Sequence, residues 1–238
     1  MNKITKLSTF ALLLTSISSA AFADNWNIGA SASYGNIDGT ANDTQTTIAG
    51  PTVAQTRGAT SGDADFPFAS IFVEYAKTLD KDLDLIIGLD YVPFKAEIDS
   101  KSFADSNISL SQSALTSTPA TGTRTAKLEL ENYATLYLQP TYKVSGGTAV
   151  YGKVGYIHGD VKISGSNTAT GSTINATDTL NGYLVGLGVQ HNINKNVFVR
   201  LEGSYTDHDN VSATDSLGTK FTADSELIAG KLSIGYSF

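Results

Sequence analysis

Residues 196–206 decide the fold, and they read Asn-Val-Phe-Val-Arg-Leu-Glu-Gly-Ser-Tyr-Thr. Alternate positions differ in character, since Val197 and Leu201 are aliphatic whereas Arg200 and Glu202 are charged. A period of two residues is that of a β-strand, in which successive side chains point to opposite faces. The stretch therefore predicts a strand with one apolar face and one charged face.

The same alternation recurs along the chain, in eight segments altogether, and the last segment ends at Phe238. The apolar faces of the other seven begin with Trp26, Ala69, Leu83, Leu128, Val150, Tyr183 and Val197. In the fourth segment the predicted apolar face includes both Leu128 and Leu130. Glycine and β-branched residues are too frequent in these segments for good helices. The sequence therefore predicts an all-β chain.

The connections between the segments alternate between short and long. Short polar turns are predicted at residues 78–82, 144–147 and 192–195. Long loops are predicted at residues 37–66, 95–126, 158–179 and 207–224. This alternation is typical of a transmembrane β-barrel, and we predict a single eight-stranded antiparallel up-and-down barrel. Residues 107–111 could extend a hairpin above the membrane, and a hidden extra hairpin would give ten strands.

Aromatic side chains give a second argument for this fold. Ten are predicted to stand on outward faces at strand ends: Trp26, Tyr34, Tyr75, Tyr91, Tyr142, Tyr156, Tyr183, Tyr205, Tyr236 and Phe238. Tyr133, Tyr137 and Tyr151 are predicted to point inwards. Two aromatic rings around an aliphatic band suit a bilayer, because the ring prefers hydrocarbon and the hydroxyl prefers headgroups. A secreted β-sandwich, the alternative fold, gives no reason for this placement.

Charged side chains occupy the faces opposite to the aliphatic ones. The predicted lumen charge network consists of Glu74, Asp90, Glu129, Glu131, Lys153, Arg200, Glu202 and Lys231. An eight-stranded barrel is just wide enough for its own side chains to fill. We therefore expect a side-chain-filled lumen in which these charges neutralise one another, packed with Phe72, Gln139 and the three inward tyrosines. A narrow conduit for ions or small solutes is the alternative.

The N-terminal residues have the order of a secretory signal peptide. Lys3 and Lys6 precede an apolar stretch, and residues 21–23 (Ala-Phe-Ala) supply a small-x-small cleavage pattern. The apolar stretch is too short to span a membrane as a helix. We predict a signal peptide at residues 1–23 and an outer-membrane β-barrel domain at residues 24–238. An even number of strands would leave both termini in the periplasm.

The composition excludes several classes of function. The formal net charge is −7 at pH 7, and the chain contains no cysteine. An acidic chain lacks the basic patch that nucleic acid requires. Without cysteine, disulfides, thiolate metal sites and a cysteine nucleophile are excluded. The sequence also contains no phosphate-binding loop or zinc motif, so no cofactor is predicted.

The three histidines are the candidates for catalysis. His158 and His208 are predicted at external strand ends, where a hydrolase acting on outer-leaflet lipid would need its base, and His191 borders a short turn. No serine has a compelling local spacing to them, which favours exposed loop histidines. The acidic residues of the last long loop match no compact calcium motif. We therefore predict no catalytic, cofactor-binding or metal-binding residues.

The C-terminal half of the chain resembles a known family. The resemblance is carried by residues 182–190 (GYLVGLGVQ), the turn at 192–196 and the ending at 231–238 (KLSIGYSF). These are similar to the small outer-membrane barrels of the opacity-protein and OmpA/OmpX type, often labelled porin-family proteins. The likeness is good over residues 126–238 and rests on strand periodicity alone over 24–125. It implies the fold and a location in the outer membrane of a Gram-negative cell, whereas relatives differ in activity.

The resemblance also implies partners. The last strand, ending in Phe238, looks like the signal that the barrel-assembly machinery reads. Outer-membrane lipid and lipopolysaccharide are the expected surroundings, and the long polar loops suit contact with an extracellular ligand. The leading hypothesis is a structural or surface-interaction barrel, adhesin-like or opacity-like, that is not an enzyme. A narrow porin-like channel is the first alternative, and a lipid A-modifying hydrolase is the second.

Overall fold

A computed structural model describes residues 25–46, 54–56, 60–109, 119–168, 171–216, 218 and 220–238, and the predicted signal peptide lies outside them. The strands are β1 (Asn25–Thr46), β2 (Ala54–Thr56), β3 (Thr60–Asp80), β4 (Leu83–Tyr91), β5 (Ala96–Ser109), β6 (Pro119–Ser145), β7 (Thr148–Asn167), β8 (Ser172–Asn192), β9 (Val197–Thr214) and β10 (Lys220–Ser237). In the described part of the chain, no helix is long and apolar enough to cross a membrane.

The strands form a closed antiparallel ring with eight positions. Neighbouring strands pair in chain order, and β1 pairs with β10, so that Asn27 lies opposite Ser237. β4 and β5 both pair with β6, so they occupy the same position in the ring one after the other. The three-residue β2 pairs with the end of β1. The predicted eight-stranded up-and-down barrel is therefore confirmed. β5 extends a hairpin and does not add positions to the ring.

Short turns close one end of the barrel, here called the turn end. Lys81 and Asp82 join β3 to β4, and residues 193–196 join β8 to β9. Between β6 and β7 the turn consists of Gly146 and Gly147, whose φ angles are 60° and 77°. Glycine adopts such positive φ angles without steric cost. The three short turns lie where the sequence predicts them.

At the opposite end, here called the hairpin end, the prediction of long loops is largely wrong. The ladder between β6 and β7 runs from Arg124–Asn167 to Ser145–Thr148, and β1 and β10 pair as far as Thr44–Lys220. Most of the predicted loop residues are therefore in strands. Threonine and serine are well tolerated on a half-exposed strand surface, and a composition rich in them gave no sign of the continued pairing.

The lower part of the ring has an aliphatic outer surface. Leu187 is 75% exposed there, and Leu201 and Leu232 are each more than half exposed. This surface is bounded at the hairpin side by the outward side chains of Tyr34, Tyr91, Tyr156, Tyr183 and Tyr205. We call the part of the ring between these tyrosines and the turns the barrel region.

Above these tyrosines the closed wall divides at two seams. The ladder between β3 and β4 ends at Ile71–Tyr91, and β5 continues by pairing with β6 alone. The ladder between β8 and β9 ends at Gly182–His208. Two four-stranded sheets result, which together we call the two-sheet region. Sheet A comprises residues 35–46, 60–70, 209–214 and 220–229; sheet B comprises β5 and residues 119–131, 158–167 and 172–181.

An apolar core lies between the two sheets. Phe66 and Leu227 from sheet A pack with Ile98, Leu130 and Leu180 from sheet B, and all five are less than a tenth exposed. Burying side chains of this kind contributes roughly 1.5–3 kcal/mol each. The two-sheet region therefore has a hydrophobic core of its own.

A bulge in β6 corrects part of the predicted register. Asn132 has a φ of 53°, and the ladder to β7 shifts between Glu131 and Ala134, so that one extra residue enters β6. Such a bulge exchanges the two faces of a strand. Leu130, predicted to face outwards, is therefore buried at 3% exposure, and Leu128 packs against the same core.

Candidate functional site

The centre of the barrel region contains a bidentate ion pair between β9 and β3. The guanidinium of Arg200 donates to both carboxylate oxygens of Glu74, at 2.5 and 2.9 Å. Asn27 donates to the same carboxylate at 3.1 Å, and Gln190 accepts from Nε of Arg200 at 2.8 Å. Both charged groups are at most 3% exposed. Two parallel hydrogen bonds give such a pair both strength and a fixed geometry.

Two further ion pairs lie in the same layer. Lys153 contacts Glu202 at 2.5 Å, and Lys231 donates to Asp90 at 2.9 Å. Lys231 lies directly opposite Glu202 on the neighbouring strand, but each of the three bases pairs with a different acid. The side chains of Arg200 and Lys231 cross the interior of the barrel to reach acids on β3 and β4. Six of the eight predicted network residues are thus brought together as three pairs.

Four buried aromatic side chains complete the layer, and each lies over a glycine. Phe72 faces Gly29, Tyr137 faces Gly88, Tyr151 faces Gly188 and Phe198 faces Gly235 as direct cross-strand partners. A Cβ on any of these glycines would lie within 2.2–2.4 Å of the opposite ring. The glycines therefore make the space that the rings occupy.

The tyrosine hydroxyls connect the rings to the ion pairs. Tyr137 donates to Glu74 at 2.5 Å, and Tyr151 donates to Glu202 at 3.0 Å. The amino group of Lys153 lies 4.4 Å from the centre of the Tyr137 ring. Charges, hydroxyls and rings form one continuous layer across the barrel, which we call the lumen layer. The glycine partners were not predicted from the sequence, although each stands opposite an inward aromatic once the register is known.

Glu129 and Glu131 are not part of this network, and their placement in the lumen is wrong. They lie on the face of β6 opposite to the buried Leu130, because the bulge at Asn132 exchanges the faces. Lys127 contacts Glu129 at 3.1 Å, and Glu131 pairs with Lys95.

The pKa of both lysines and of Glu129 follows from these surface pairs. The hydrogen bonds that Lys127 makes to Glu97 and Glu129 raise its pKa, and the same contact lowers the pKa of Glu129. The hydrogen bond to Glu131 raises the pKa of Lys95.

The ten predicted girdle aromatics all lie on the outer surface. Trp26 packs against Tyr75 with ring centres 5.2 Å apart, and Tyr236 packs against Phe238 at 5.1 Å; both pairs are at the turn end. At the hairpin side Tyr156 and Tyr183 form an edge-to-face pair at 5.5 Å. Tyr133, Tyr137 and Tyr151 are buried inside.

The histidines occupy three different environments. His158 is exposed and bonds Asn181 at 2.9 Å, while His191 bonds Thr148 at 3.0 Å beside a turn. His208 is not an exposed loop residue, contrary to prediction. It is 5% exposed on the inner face of β9, and its ring nitrogens lie 3.3 Å from Tyr133 Oη and from Ser225 Oγ.

No histidine is combined with an accessible nucleophile in the described residues. His208 does approach a serine, but both groups lie inside the barrel wall. Among the same residues, no group of three or more acidic or histidine side chains is arranged to hold a metal ion.

A closed eight-stranded barrel with an aliphatic outer band between two aromatic rings and a charged interior is a membrane-spanning β-barrel. A family model described as the outer membrane protein beta-barrel domain matches residues 9–223. The chain belongs to this family and is an outer-membrane protein. No curated protein matches the chain in sequence.

Solved structures with a similar fold include three from different organisms. The outer membrane protein OprG from Pseudomonas aeruginosa is 15% identical, with a TM-score of 0.52 over 91% of this chain and 96% of that chain. The outer membrane protease OmpT from Escherichia coli is 12% identical, with a TM-score of 0.49 over 89% and 97%. The attachment invasion locus protein Ail of Yersinia pestis is 14% identical, with a TM-score of 0.40 over 87% and 98%. The likeness to OprG shows the fold alone.

Proposed function

We propose that the protein is a sealed, non-enzymatic barrel whose role is structural or surface interaction. The observation that carries the proposal is the lumen layer, in which three ion pairs and four rings cross the barrel. Each of these charges has an opposite charge within hydrogen-bond distance. A permeating ion would have to displace those partners and leave buried charges uncompensated, which is costly.

The two-sheet region supports the second half of the proposal. The described strands continue past the aromatic ring and enclose a hydrophobic core, so this described part of the protein is folded. Its outer face carries polar residues such as Asp38, Lys162 and Thr179. A folded structure with a polar surface can present a fixed arrangement of side chains to an extracellular ligand.

The proposed orientation places the two-sheet region outside the cell and the turn end, with both termini, in the periplasm. Short turns on the periplasmic side are the usual arrangement in bacterial barrels of this kind. The last strand, β10, closes the ring against β1 and is the proposed contact for the barrel-assembly machinery. Outer-membrane lipid and lipopolysaccharide are the proposed surroundings of the aliphatic band.

Planar-bilayer recording tests the sealed lumen. The wild-type protein should give no stable, reproducible conductance steps. A double variant, Tyr137→Ala with Tyr151→Ala, removes two rings of the lumen layer and should give steps, which shows that the recording detects an open barrel. Reproducible steps from the wild type would overturn the sealed lumen in favour of the narrow channel.

Cysteine labelling tests the orientation, because the chain contains no cysteine of its own. Ser164→Cys lies on the outer face of the two-sheet region, and Lys81→Cys lies in a short turn. A membrane-impermeant maleimide should label the first variant on intact cells and the second only after permeabilisation. The reverse pattern would contradict the proposed orientation.

A further inference from the structure

The two seams of the two-sheet region are closed in different ways. At the seam between β8 and β9, the amide of Ser212 donates to Asp178 at 2.6 Å. Thr173 and Ser216 exchange two more hydrogen bonds, at 2.9 and 3.0 Å. Polar contacts therefore join sheet A to sheet B on this side of the molecule.

The seam between β3 and β5 is closed by apolar side chains. Residues 60–70 pair with β1 only, and β5 pairs with β6 only, so no backbone ladder joins these two described segments. Phe66 from sheet A, Ala96 and Ile98 from sheet B, and Val92 between β4 and β5 are each less than a tenth exposed and belong to one core. Apolar contact holds this side together.

Two prolines explain why the seam forms at this place. Pro93 lies two residues after the end of β4, and a residue without an N–H cannot continue the ladder to β3. Pro67 lies in the part of β3 that borders the seam, and proline in a sheet is confined to edges and bulges. The local sequence thus prevents β3 and β5 from pairing across the gap.

Separation of the sheets at this seam breaks no ladder hydrogen bonds. The seam between β8 and β9 would act as the hinge, because its polar contacts remain in place. Opening would expose an aliphatic surface that includes Leu130, Leu180 and Leu227. Exposed aliphatic surface is unfavourable in water, and a hydrocarbon chain entering the gap would cover it.

The lower end of the seam lies at the headgroup level of the membrane, where amphiphilic molecules are located. Its lower end lies at the Ile71–Tyr91 pair, level with the outward tyrosines, and Phe94 beside it is 72% exposed. Headgroups and aromatic side chains share this level of a membrane. Below the seam, the Lys231–Asp90 pair belongs to the lumen layer and closes the way into the barrel.

We propose that the seam between β3 and β5 is a lateral binding site for the alkyl chain of a single-chain amphiphile. The chain inserts sideways between the two sheets while the polar head stays in the headgroup zone. An extended peptide is a poorer occupant, because Pro67 and Pro93 interrupt the backbone edges that it would need to pair with. The site extends the proposed surface role without requiring passage through the barrel.

Tryptophan quenching tests the proposal in the full-length protein reconstituted in phosphatidylcholine vesicles. The chain has a single tryptophan, Trp26, at the turn end, and Trp26→Phe removes it. Phe66→Trp then reports on the β3/β5 seam. Val211→Trp is the matched control, because Val211 packs against the same core from β9, on the side of the other seam.

Brominated dodecanoate should quench the tryptophan at position 66 in a saturable way. Half-quenching there should need about tenfold less quencher than at position 211, which corresponds to about 1.4 kcal/mol. Equal quenching at both positions, or none at position 66, would overturn the proposal. Vesicles of brominated phosphatidylcholine form the second arm, and selective quenching of position 66 by them would assign the site to a membrane lipid chain and overturn the single-chain assignment.

Hydrogen exchange on the wild-type protein gives a test that needs no substitution in the core. Dodecanoate should change the exchange of amides in residues 60–70 and at the start of β5. Residues 172–181, at the hinge seam, should exchange at the same rate with and without the amphiphile. A uniform change over both seams, or no change at either, would contradict a site between β3 and β5.

Discussion

The barrel region and the two-sheet region are built from the same strands but have opposite polarity. In the barrel region the charges are inside and the aliphatic side chains outside, whereas in the two-sheet region the core is apolar and the surface polar. β8 shows both arrangements without a change of register. Its outward residues include Leu187 in the barrel region and Thr179 above it, while Leu180 points inwards. The comparison shows that the surrounding medium, lipid or water, and not the register of the strand, determines which face is apolar.

The largest expected effect comes from the interior of the barrel region. Glu74→Ala leaves Arg200 buried without its partner, which should lower the free energy of unfolding by about 3–5 kcal/mol. Urea unfolding in detergent micelles, followed by tryptophan fluorescence, measures this change. Glu129→Ala is the control from the two-sheet region, because this carboxylate lies in a surface pair with Lys127, on the face of β6 opposite to the core, and its loss should have no measurable effect. Equal effects of the two variants would contradict the description of the lumen layer.

The outer surfaces of the two regions are compared by one substitution at two positions of β8. Leu187→Arg places a charge in the middle of the aliphatic band and should cost about 2–4 kcal/mol. Thr179→Arg places the same charge on the polar outer face of sheet B, where it stays in water. Urea unfolding of the reconstituted protein measures both. A similar loss of stability in Thr179→Arg would show that the membrane reaches above the ring of tyrosines.

The smallest expected effect concerns pH and His208, which lies on the inner face of β9 where the barrel region meets the two-sheet region. Burial lowers the pKa of His208 below its ordinary value of about 6.5, although Ser225 and the carboxylates of Asp207 and Asp209 act in the opposite direction. Because the folded state favours the neutral form, His208 does not affect stability above this value and lowers it as the pH falls below. The protection factors of amides in residues 206–214, which are exchange rates corrected for the intrinsic effect of pH, should therefore fall between pH 7 and pH 5.

A pair of histidine variants separates this effect from general acid sensitivity. His208→Gln should remove most of the pH dependence of the protection factors in residues 206–214. His158→Gln, at an exposed histidine on the outer face of β7, should leave that dependence unchanged. If both variants behaved like the wild type, another group would have to be responsible.

The barrel region could be predicted from the sequence because each signal there is strong. Lipid selects large aliphatic residues on one face, so alternation is visible in segments such as 196–206. Charged residues such as Arg200 and Glu202 then have only the interior to occupy. Which acid pairs with which base could not be predicted, because long side chains cross the lumen and neighbouring positions do not determine their partners.

The two-sheet region could not be predicted, because its alternation of apolar and polar residues is weaker and because its apolar residues face inwards, opposite to those of the barrel region. Ala64, Phe66 and Phe68 form an inward apolar face, but the outward residues between them include Pro67. A continuous period of two through β6 also places Leu130 on the wrong face, since nothing distinguishes Asn132 as a bulge except its tolerance of positive φ. The same bulge accounts for the wrong placement of Glu129 and Glu131.

The long ladder between β6 and β7 has a mechanical consequence. The strands pair from Arg124–Asn167, near the tip of the two-sheet region, to Ser145–Thr148 at the turn end, with two register shifts. Ladder hydrogen bonds lie perpendicular to the strands. A force applied to the tip along the strand axis therefore loads the hydrogen bonds in shear, and the load is shared by many of them at once. Tension from an attached surface would thus be carried down these strands into the membrane, and no single bond at the tip would bear it alone.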